Sequence, residues 1–185
     1  YYAVRKKVPS EPEERAARFI YLNRTCYNGL YRVNRRGEFN VPMGRYENPR
    51  VANRENLLAV SSVLQGVDLR HTDFEDITKD CGPEDLVYLD PPYHPVSETS
   101  HFTSYTREGF GVEEQRRLAV TFEKLARRGA TVILSNSSSD LIRKLYGALE
   151  PKARIEEVEV PRHINSKAAN RGPVAERLIY YPCLL

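Results

Sequence analysis

An α/β fold built on a parallel sheet is the class this 185-residue sequence predicts, and three observations predict it. From Val67 onward, short runs of apolar β-formers alternate with amphipathic helical stretches, the pattern of parallel strands joined by crossover helices. One of those runs, Leu86-Val87-Tyr88-Leu89, stops abruptly at Asp90-Pro91-Pro92-Tyr93, as a buried strand does where it delivers side chains to a sheet edge. The first 66 residues lack this alternation and carry helices, turn signals and their own charge balance. The expected division is therefore a smaller helical, hairpin-bearing unit over residues 1–66 and an α/β unit over residues 67–185.

Residues 13–23 predict a helix, with Pro12 near its first turn and Ala16, Phe19, Ile20 and Leu22 broadly on one side. Asn28-Gly29 and Asn34-Arg35-Arg36-Gly37 are turn signals on either side of Leu30-Tyr31-Arg32-Val33, and residues 38–41 can pair back as a hairpin that Pro42 ends. Asn53 suits the N-cap of a helix over residues 54–64, which Gln65-Gly66 closes. In the second unit, strands are expected at 67–71, 86–89 and 131–134, and helices at 112–128 and 140–149. Leu118, Phe122 and Leu125 should face inward from the first of these helices. Residues 154–160 and 175–181 have no helical pattern between them and predict an antiparallel pair at the sheet edge.

Composition narrows the function classes. With 41% hydrophobic and 29% charged residues and no apolar stretch of bilayer length, the chain carries no sign of a membrane span. No signal peptide is visible, and Cys26, Cys81 and Cys183 are odd in number and widely spaced. They suit free thiols in a reducing cytoplasm, with neither a disulfide framework nor a zinc site. The four His lack metal-ligand spacing with one another or with Cys, so no metal is expected. Charge is uneven: residues 1–54 hold 12 Lys and Arg against 5 Asp and Glu, and residues 55–185 hold 16 against 20. The basic end is Arg-rich and interleaved with Tyr and Asn, which favours phosphate and base contacts over a merely solvated face.

Asp90-Pro91-Pro92-Tyr93 carries the chemistry. The prolines fix φ and lack N–H groups, so the loop is rigid and presents bare carbonyl acceptors. Asp90 adds an acceptor and Tyr93 a flat face. Such a set suits the exocyclic amino group of a planar base, two oxygens taking its N–H bonds while the ring stacks on Tyr93. Asp-Pro and Pro-Pro also occur as plain strand-ending turns. In Asp73-Phe74, a helix or turn cap with a core Phe is the structural alternative to a ligand role. Ser135-Asn136 is expected to end a strand at the same sheet edge as Asp90, where α/β proteins place ligands, or simply to shape a turn there. His94 and His101 fall in the loop after the motif, and His163 in the connection to the last strand.

With these stretches in place, the chain resembles the DNA adenine-N6 methyltransferases of the Dam/DpnM type, the alpha group of amino-methyltransferases. Residues 19–34 (FIYLNRTCYNGLYRVN) and 36–46 (RGEFNVPMGRY) carry most of the likeness. Residues 71–76 (HTDFED), Asp90-Pro91-Pro92-Tyr93 and Leu134-Ser135-Asn136 follow in the family's order. Arg162-His163-Ile164-Asn165-Ser166-Lys167, Arg171-Gly172 and Glu176-Arg177-Leu178-Ile179 complete it.

The resemblance implies a Rossmann-like S-adenosylmethionine-dependent core, here partial, with an inserted DNA-recognition subdomain. It implies methyl transfer to adenine N6 in GATC-like sites of double-stranded DNA, by a monomer, in the cytoplasm on the nucleoid, alone or in a restriction–modification pair. Asp90, Pro91, Pro92 and Tyr93 would be catalytic, with base flipping needed to reach them. Asp73 would accept the amino group of the cofactor's adenine, Phe74 would pack on its ring, and Asp90 would close the cofactor side. Arg32 would read guanine, and Tyr27 and Asn28 would fill the space the flipped base leaves. Leu30 and Pro42 would meet thymine methyls, and Arg24, Arg35, Arg36 and Arg45 the phosphates. Members open with a Phe-x-Gly-x-Gly turn for the methionine part of the cofactor. The only Gly-x-Gly here, Gly109-Phe110-Gly111, follows the Asp90 motif and cannot be that turn. The chain is therefore expected to be the C-terminal two-thirds of such an enzyme, with its activity alone in question. The rival readings are a sequence-specific DNA-binding module without turnover and an RNA or protein-glutamine methyltransferase, in which Asn usually replaces Asp90.

Overall fold

The structure, a computed structural model, describes residues 1–34, 36–96, 110–149, 152–161 and 173–181. Arg35, Gly109, His101, Cys183 and the stretch from Arg162 to Gly172 lie outside the described residues. The chain forms two compact units, Tyr1–Leu69 and Arg70–Leu185.

The first unit is built on α1 (Tyr2–Lys6) and α2 (Pro12–Thr25). Pro12 stands at the start of α2, where its missing N–H costs nothing, and Glu13 and Glu14 occupy the positive end of the helix dipole. Leu22, Cys26, Phe39 and Val41 form a small buried cluster that Tyr1, Tyr21 and Leu30 cover. The Tyr1 hydroxyl donates to the Val41 carbonyl at 2.9 Å, and Arg5 donates to the same carbonyl at 3.1 Å. These bonds tie α1, which sequence pattern did not suggest, to the segment after α2. The expected hairpin reduces to one isolated antiparallel bridge, Val33 with Phe39, and a second bridge joins Cys26 to Met43. Backbone bonds flank the first bridge, the Asn40 amide donating to the Arg32 carbonyl at 3.1 Å and the Asn34 amide to the Glu38 carbonyl at 2.9 Å, and at the tip the Asn34 Oδ1 accepts from the Arg36 and Glu38 amides at 2.9 and 3.0 Å. Such local Asn bonds compete with a regular ladder. Asn53 caps α3 (Arg54–Val63), its side chain accepting from the Asn56 amide. No residue of α3 is buried, so its apolar side chains stand exposed within this unit.

The second unit holds a four-stranded mixed sheet in the order β1-β2-β4-β3. Its strands are β1 (Leu86–Leu89), β2 (Thr131–Ser137), β3 (Arg154–Pro161) and β4 (Pro173–Tyr180). β1 and β2 run parallel, and β4 is antiparallel to both β2 and β3. The helices are α4 (Phe74–Thr78), α5 (Val112–Arg127) and α6 (Asp140–Gly147). Leu118, Phe122 and Leu125 of α5 pack with Val132, Leu134 and Ile179 of the sheet and with Ile142 and Tyr146 of α6. Phe122 meets Tyr146 edge-on at 5.3 Å between ring centroids.

Three expectations are corrected. Residues 67–71 form no strand; Val67 and Leu69 are exposed, and without a partner edge the run has no ladder to join. β1 is not buried along its length: only Leu89 is, and Leu86 is 68% exposed. β2 continues three residues past Leu134, because Ser135, Asn136 and Ser137 pair with β4, so Ser135 and Asn136 lie inside a strand. Among the described residues no helix is long and apolar enough to cross a membrane.

Candidate active site

Asp90 leaves β1 where the parallel β1–β2 pair ends, the edge at which α/β sheets gather ligand-binding groups. Four polar groups of the motif and the residue after it are engaged. Ser135 donates its hydroxyl to Asp90 Oδ1 at 2.9 Å and accepts from the Tyr88 hydroxyl at 3.0 Å. The Pro92 carbonyl accepts from Gln115 Nε2 at 2.9 Å. The His94 amide donates to Asn136 Oδ1 at 3.1 Å. The Tyr93 hydroxyl donates to Glu176 Oε2 at 3.1 Å. Burial pushes that hydroxyl up to about 12; the bond with Ser135 opposes the rise and the Glu176 carboxylate adds to it. Tyr93 is therefore neutral and remains a donor across the working pH range.

Two acceptors at the front of the loop are different. Among the described residues, no hydrogen bond reaches Asp90 Oδ2 or the Pro91 carbonyl. Asp90 itself is exposed. Burial lowers the His94 ring below its usual pKa, so the imidazole is neutral near pH 7. Its Nδ1 lies 3.1 Å from the Ser139 hydroxyl, which caps α6.

Beside the motif lies a cleft of about 490 Å³. It is lined by Thr72, Asp73 and Phe74, by Tyr88 to Pro92, and by Phe110, Glu114, Arg117 and Leu118. Asp73 serves both as cap and as cleft residue: its Oδ1 accepts from the Glu75 amide at 2.9 Å, at the start of α4. Arg117 donates to the same oxygen at 3.0 Å and pairs with Glu75 at 3.2 Å. The Glu75 amide is the main cause that holds the Asp73 carboxyl below its ordinary value; desolvation opposes it and Arg117 adds to it. Arg117 also lies over the Phe74 ring, 5.0 Å from its centroid, and Phe110 stands 6.1 Å from the same ring. A carboxylate beside paired aromatic faces can hold a flat heterocycle bearing an amino group. Among the described residues no group of three His, Cys, Asp or Glu gathers to hold a metal.

In the first unit, Tyr27, Asn28 and Gly29 form a 3-10 turn in which Asn28 takes φ 54°, a left-handed conformation that Asn tolerates. The Tyr27 amide donates to the Pro42 carbonyl at 2.9 Å, which brings those two candidates together. Arg24, Tyr27, Asn28, Arg32, Arg36, Pro42 and Arg45 are exposed. Arg32 Nε donates to Asn40 Oδ1 at 2.8 Å, which leaves its terminal nitrogens forward. Leu30 is the exception: it is half-buried on the Leu22–Phe39 cluster, where its apolar surface serves packing.

Gln115, Arg117 and Glu176 were not evident as site residues from sequence. Gln115 did leave a signal: it precedes Leu118, Phe122 and Leu125 on the inward face of α5, and a polar residue at such a position needs a buried partner.

Comparison with known proteins identifies the family. The family described as D12 class N6 adenine-specific DNA methyltransferase matches residues 1–164. A type II methyltransferase of Methanocaldococcus jannaschii, M.MjaIII, is 46% identical over 92% of this chain and 60% of that protein. A type II methyltransferase of Lactococcus lactis subsp. cremoris, M1.LlaDCHI, is 44% identical over 90% of this chain and 58% of that protein. The DNA adenine methylase of Escherichia coli is 38% identical over 98% of this chain and 64% of that protein. The chain thus spans roughly three-fifths of the length of the curated relatives it matches. With its Asp-Pro-Pro-Tyr loop set at the end of a parallel strand beside an aromatic, carboxylate-edged cleft, the chain belongs to the D12 class N6 adenine-specific DNA methyltransferase family.

Proposed function

We propose that this chain supplies the base-holding and DNA-recognition parts of an enzyme that transfers a methyl group from S-adenosylmethionine to adenine N6 in GATC-like sites of double-stranded DNA. On this reading, residues 67–185 belong to a Rossmann-like catalytic domain and residues 1–66 to an inserted recognition subdomain. The observation that carries the proposal is the pair of unengaged acceptors, Asp90 Oδ2 and the Pro91 carbonyl, on a loop whose Asp90 Oδ1, Pro92 carbonyl, Tyr93 hydroxyl and His94 amide are hydrogen-bonded.

Adenine N6 is a weak nucleophile because its lone pair is delocalised into the ring. The two acceptors favour a pyramidal nitrogen by taking its N–H groups, one each, as the new C–N bond forms. Tyr93, held at its hydroxyl by Glu176, offers its ring face to the purine. The proton that the nitrogen sheds has an exit through Asp90, which is exposed to water. S-adenosylmethionine, when bound, supplies an electrophilic methyl group. Asp73, Phe74, Phe110 and Arg117 fit its adenine portion: a carboxylate for the amino group, aromatic faces for the ring and a cleft of about 490 Å³. The exposed Arg24, Arg36 and Arg45 suit phosphates, as does Arg35 by its place in the same basic run. Arg32 suits guanine in the major groove. Tyr27 and Asn28, on a turn braced by Pro42, suit the gap left by a flipped base. The names of the relatives, adenine methylase and type II methyltransferase, support both the base and the substrate.

The test is product analysis. The intact protein is incubated with methyl-labelled S-adenosylmethionine and duplexes carrying GATC or single-base variants of it, and the digested nucleosides are separated. The expected label is in N6-methyladenine, mainly from GATC. Sequence-selective DNA binding with no labelled nucleoside would instead identify a binding module.

A further inference from the structure

The Asp90–Tyr93 loop is gripped from behind by two amide side chains on different elements. Gln115, in the first turn of α5, and Asn136, in β2, are each 0% exposed. Gln115 Nε2 donates to the Pro92 carbonyl, and Gln115 Oε1 accepts from Asn136 Nδ2 at 3.1 Å. Asn136 Oδ1 accepts from the His94 amide at 3.1 Å and from the Ser137 amide at 2.8 Å. The chain of bonds therefore starts at the carbonyl before Tyr93 and ends at the N–H after it.

Its polarity is fixed at both ends. A carbonyl only accepts, so Gln115 must turn its NH₂ toward Pro92; an amide N–H only donates, so Asn136 must turn its oxygen toward His94. The two remaining atoms, Asn136 Nδ2 and Gln115 Oε1, then meet as donor and acceptor without a flip. The other buried positions of α5 are Leu118, Phe122 and Leu125, together with Thr121, whose hydroxyl turns back to the Arg117 carbonyl of the same helix at 3.1 Å, so Gln115 is the buried polar side chain that reaches out to other elements. Packing alone would be served there by another apolar residue, with no buried polar group to satisfy. The amides are needed because the loop turns a carbonyl and an N–H inward between two prolines and a histidine.

We infer that Gln115 and Asn136 are positioning residues, a buried amide relay that fixes the backbone on both sides of Tyr93 and so aims the Pro91 carbonyl and the Tyr93 ring at the target amine. This rests on the reading of Asp90–Tyr93 as the base-holding loop. With Glu176 holding the Tyr93 hydroxyl, the side chain is anchored at both ends.

The test compares Gln115→Met, Asn136→Leu and the double variant in the intact protein. Single-turnover methylation, normalised to folded protein, should fall at least about tenfold in Gln115→Met, because small misplacements of reacting groups are costly. Kd for duplex DNA and for S-adenosylmethionine should stay within about threefold. Exchange of the His94 amide hydrogen should speed up at least about tenfold in Asn136→Leu, while the Val132 and Leu134 amides stay protected. The double variant removes both amide side chains and leaves the Pro92 carbonyl and the His94 amide without them, so its methylation rate should stay at least as low as that of Gln115→Met. A methylation rate that returns toward wild type in the double variant would overturn the positioning role and leave a structural one. If the wild-type protein methylates no adenine, the proposed function fails, and unchanged exchange at His94 would separately overturn the relay.

Discussion

The two units solve opposite problems with the same chain. The first rests on a four-residue buried cluster and presents a row of exposed basic and aromatic side chains. The second buries an eleven-residue core and holds its candidate site through directed hydrogen bonds between distant elements. Recognition of a charged polymer asks for reach and charge, which a thin scaffold with mobile arginines can supply. Holding a single amino group for reaction asks for placement to a fraction of an ångström, which needs a rigid core behind the loop. Substitutions in the second unit should therefore strike turnover, and those in the first should strike DNA binding and choice of site.

The largest effect is expected at Asp90. Asp90→Ala removes one of the two free acceptors and the partner of the Ser135 hydroxyl. Single-turnover methylation by the intact protein should fall on the order of a thousandfold, the scale of losing one preorganised electrostatic contact. DNA affinity should stay within a few-fold, as Asp90 is not among the basic side chains of the first unit. Substantial single-turnover methylation by the variant would remove Asp90 from its role.

Stability separates the units next. Phe122 is fully buried between α5, α6 and the sheet, in contact with Tyr146 and Tyr181. Phe122→Ala should cost about 3–5 kcal/mol, as for a large ring removed from a well-packed core. Phe39, buried in the small cluster beside the half-exposed Tyr31, has neighbours that can collapse inward. Phe39→Ala should cost about 1–3 kcal/mol. Denaturant unfolding of both variants checks the order, and equal losses would contradict the contrast in scaffold depth.

The sequence made the second unit more legible than the first, for physical reasons. Strand–helix alternation and the 118, 122, 125 spacing report a large core, and β1, β2, α5, α6, β3 and β4 lie close to where pattern places them. The failures occur where a partner was needed and local sequence could not supply one. Residues 67–71 have β-forming composition but no edge to pair with. Ser135 to Ser137 look like a strand end because they are polar, yet β4 carries the ladder three residues further. In the first unit, the expected hairpin is present but short: one bridge, Val33 with Phe39, lies between two backbone bonds, and the Asn34 side chain takes the amides of the tip. Within the site, the motif itself was readable from four residues. Its support was not, because Gln115 and Arg117 come from α5 and Glu176 from β4, far along the chain from the motif, and nothing local in their sequence states what they touch.

Base reading is the third expected effect. Arg32 is exposed and braced through Nε by Asn40, an arrangement that leaves the guanidinium fork for a bidentate contact. Arg32→Ala should cost about 1–3 kcal/mol on the preferred duplex and little on random DNA. Methylation rates on that duplex and on single-base variants of its guanine decide the matter. Equal slowing on all of them would make Arg32 a backbone clamp.

The smallest effect should fall on Arg36 and Arg45, and its form distinguishes them from Arg32. Arg36 lies in the turn that Asn34 organises, and Arg45 follows the Met43 bridge; both are exposed. Neither guanidinium makes a hydrogen bond or ion pair among the described residues, so each has all five donors available to a partner. A phosphate contact carries no sequence information, so replacing both residues by Ala should weaken binding to every duplex in the same proportion. Each lost contact also removes one released counterion, and the slope of log K against log salt should flatten by at most about two. The measurement is a salt titration of binding to preferred and scrambled duplexes, with the wild-type protein and Arg32→Ala alongside. If the double variant loses affinity only for the preferred sequence, Arg36 or Arg45 reads bases, and the phosphate track must run through other residues of the basic unit.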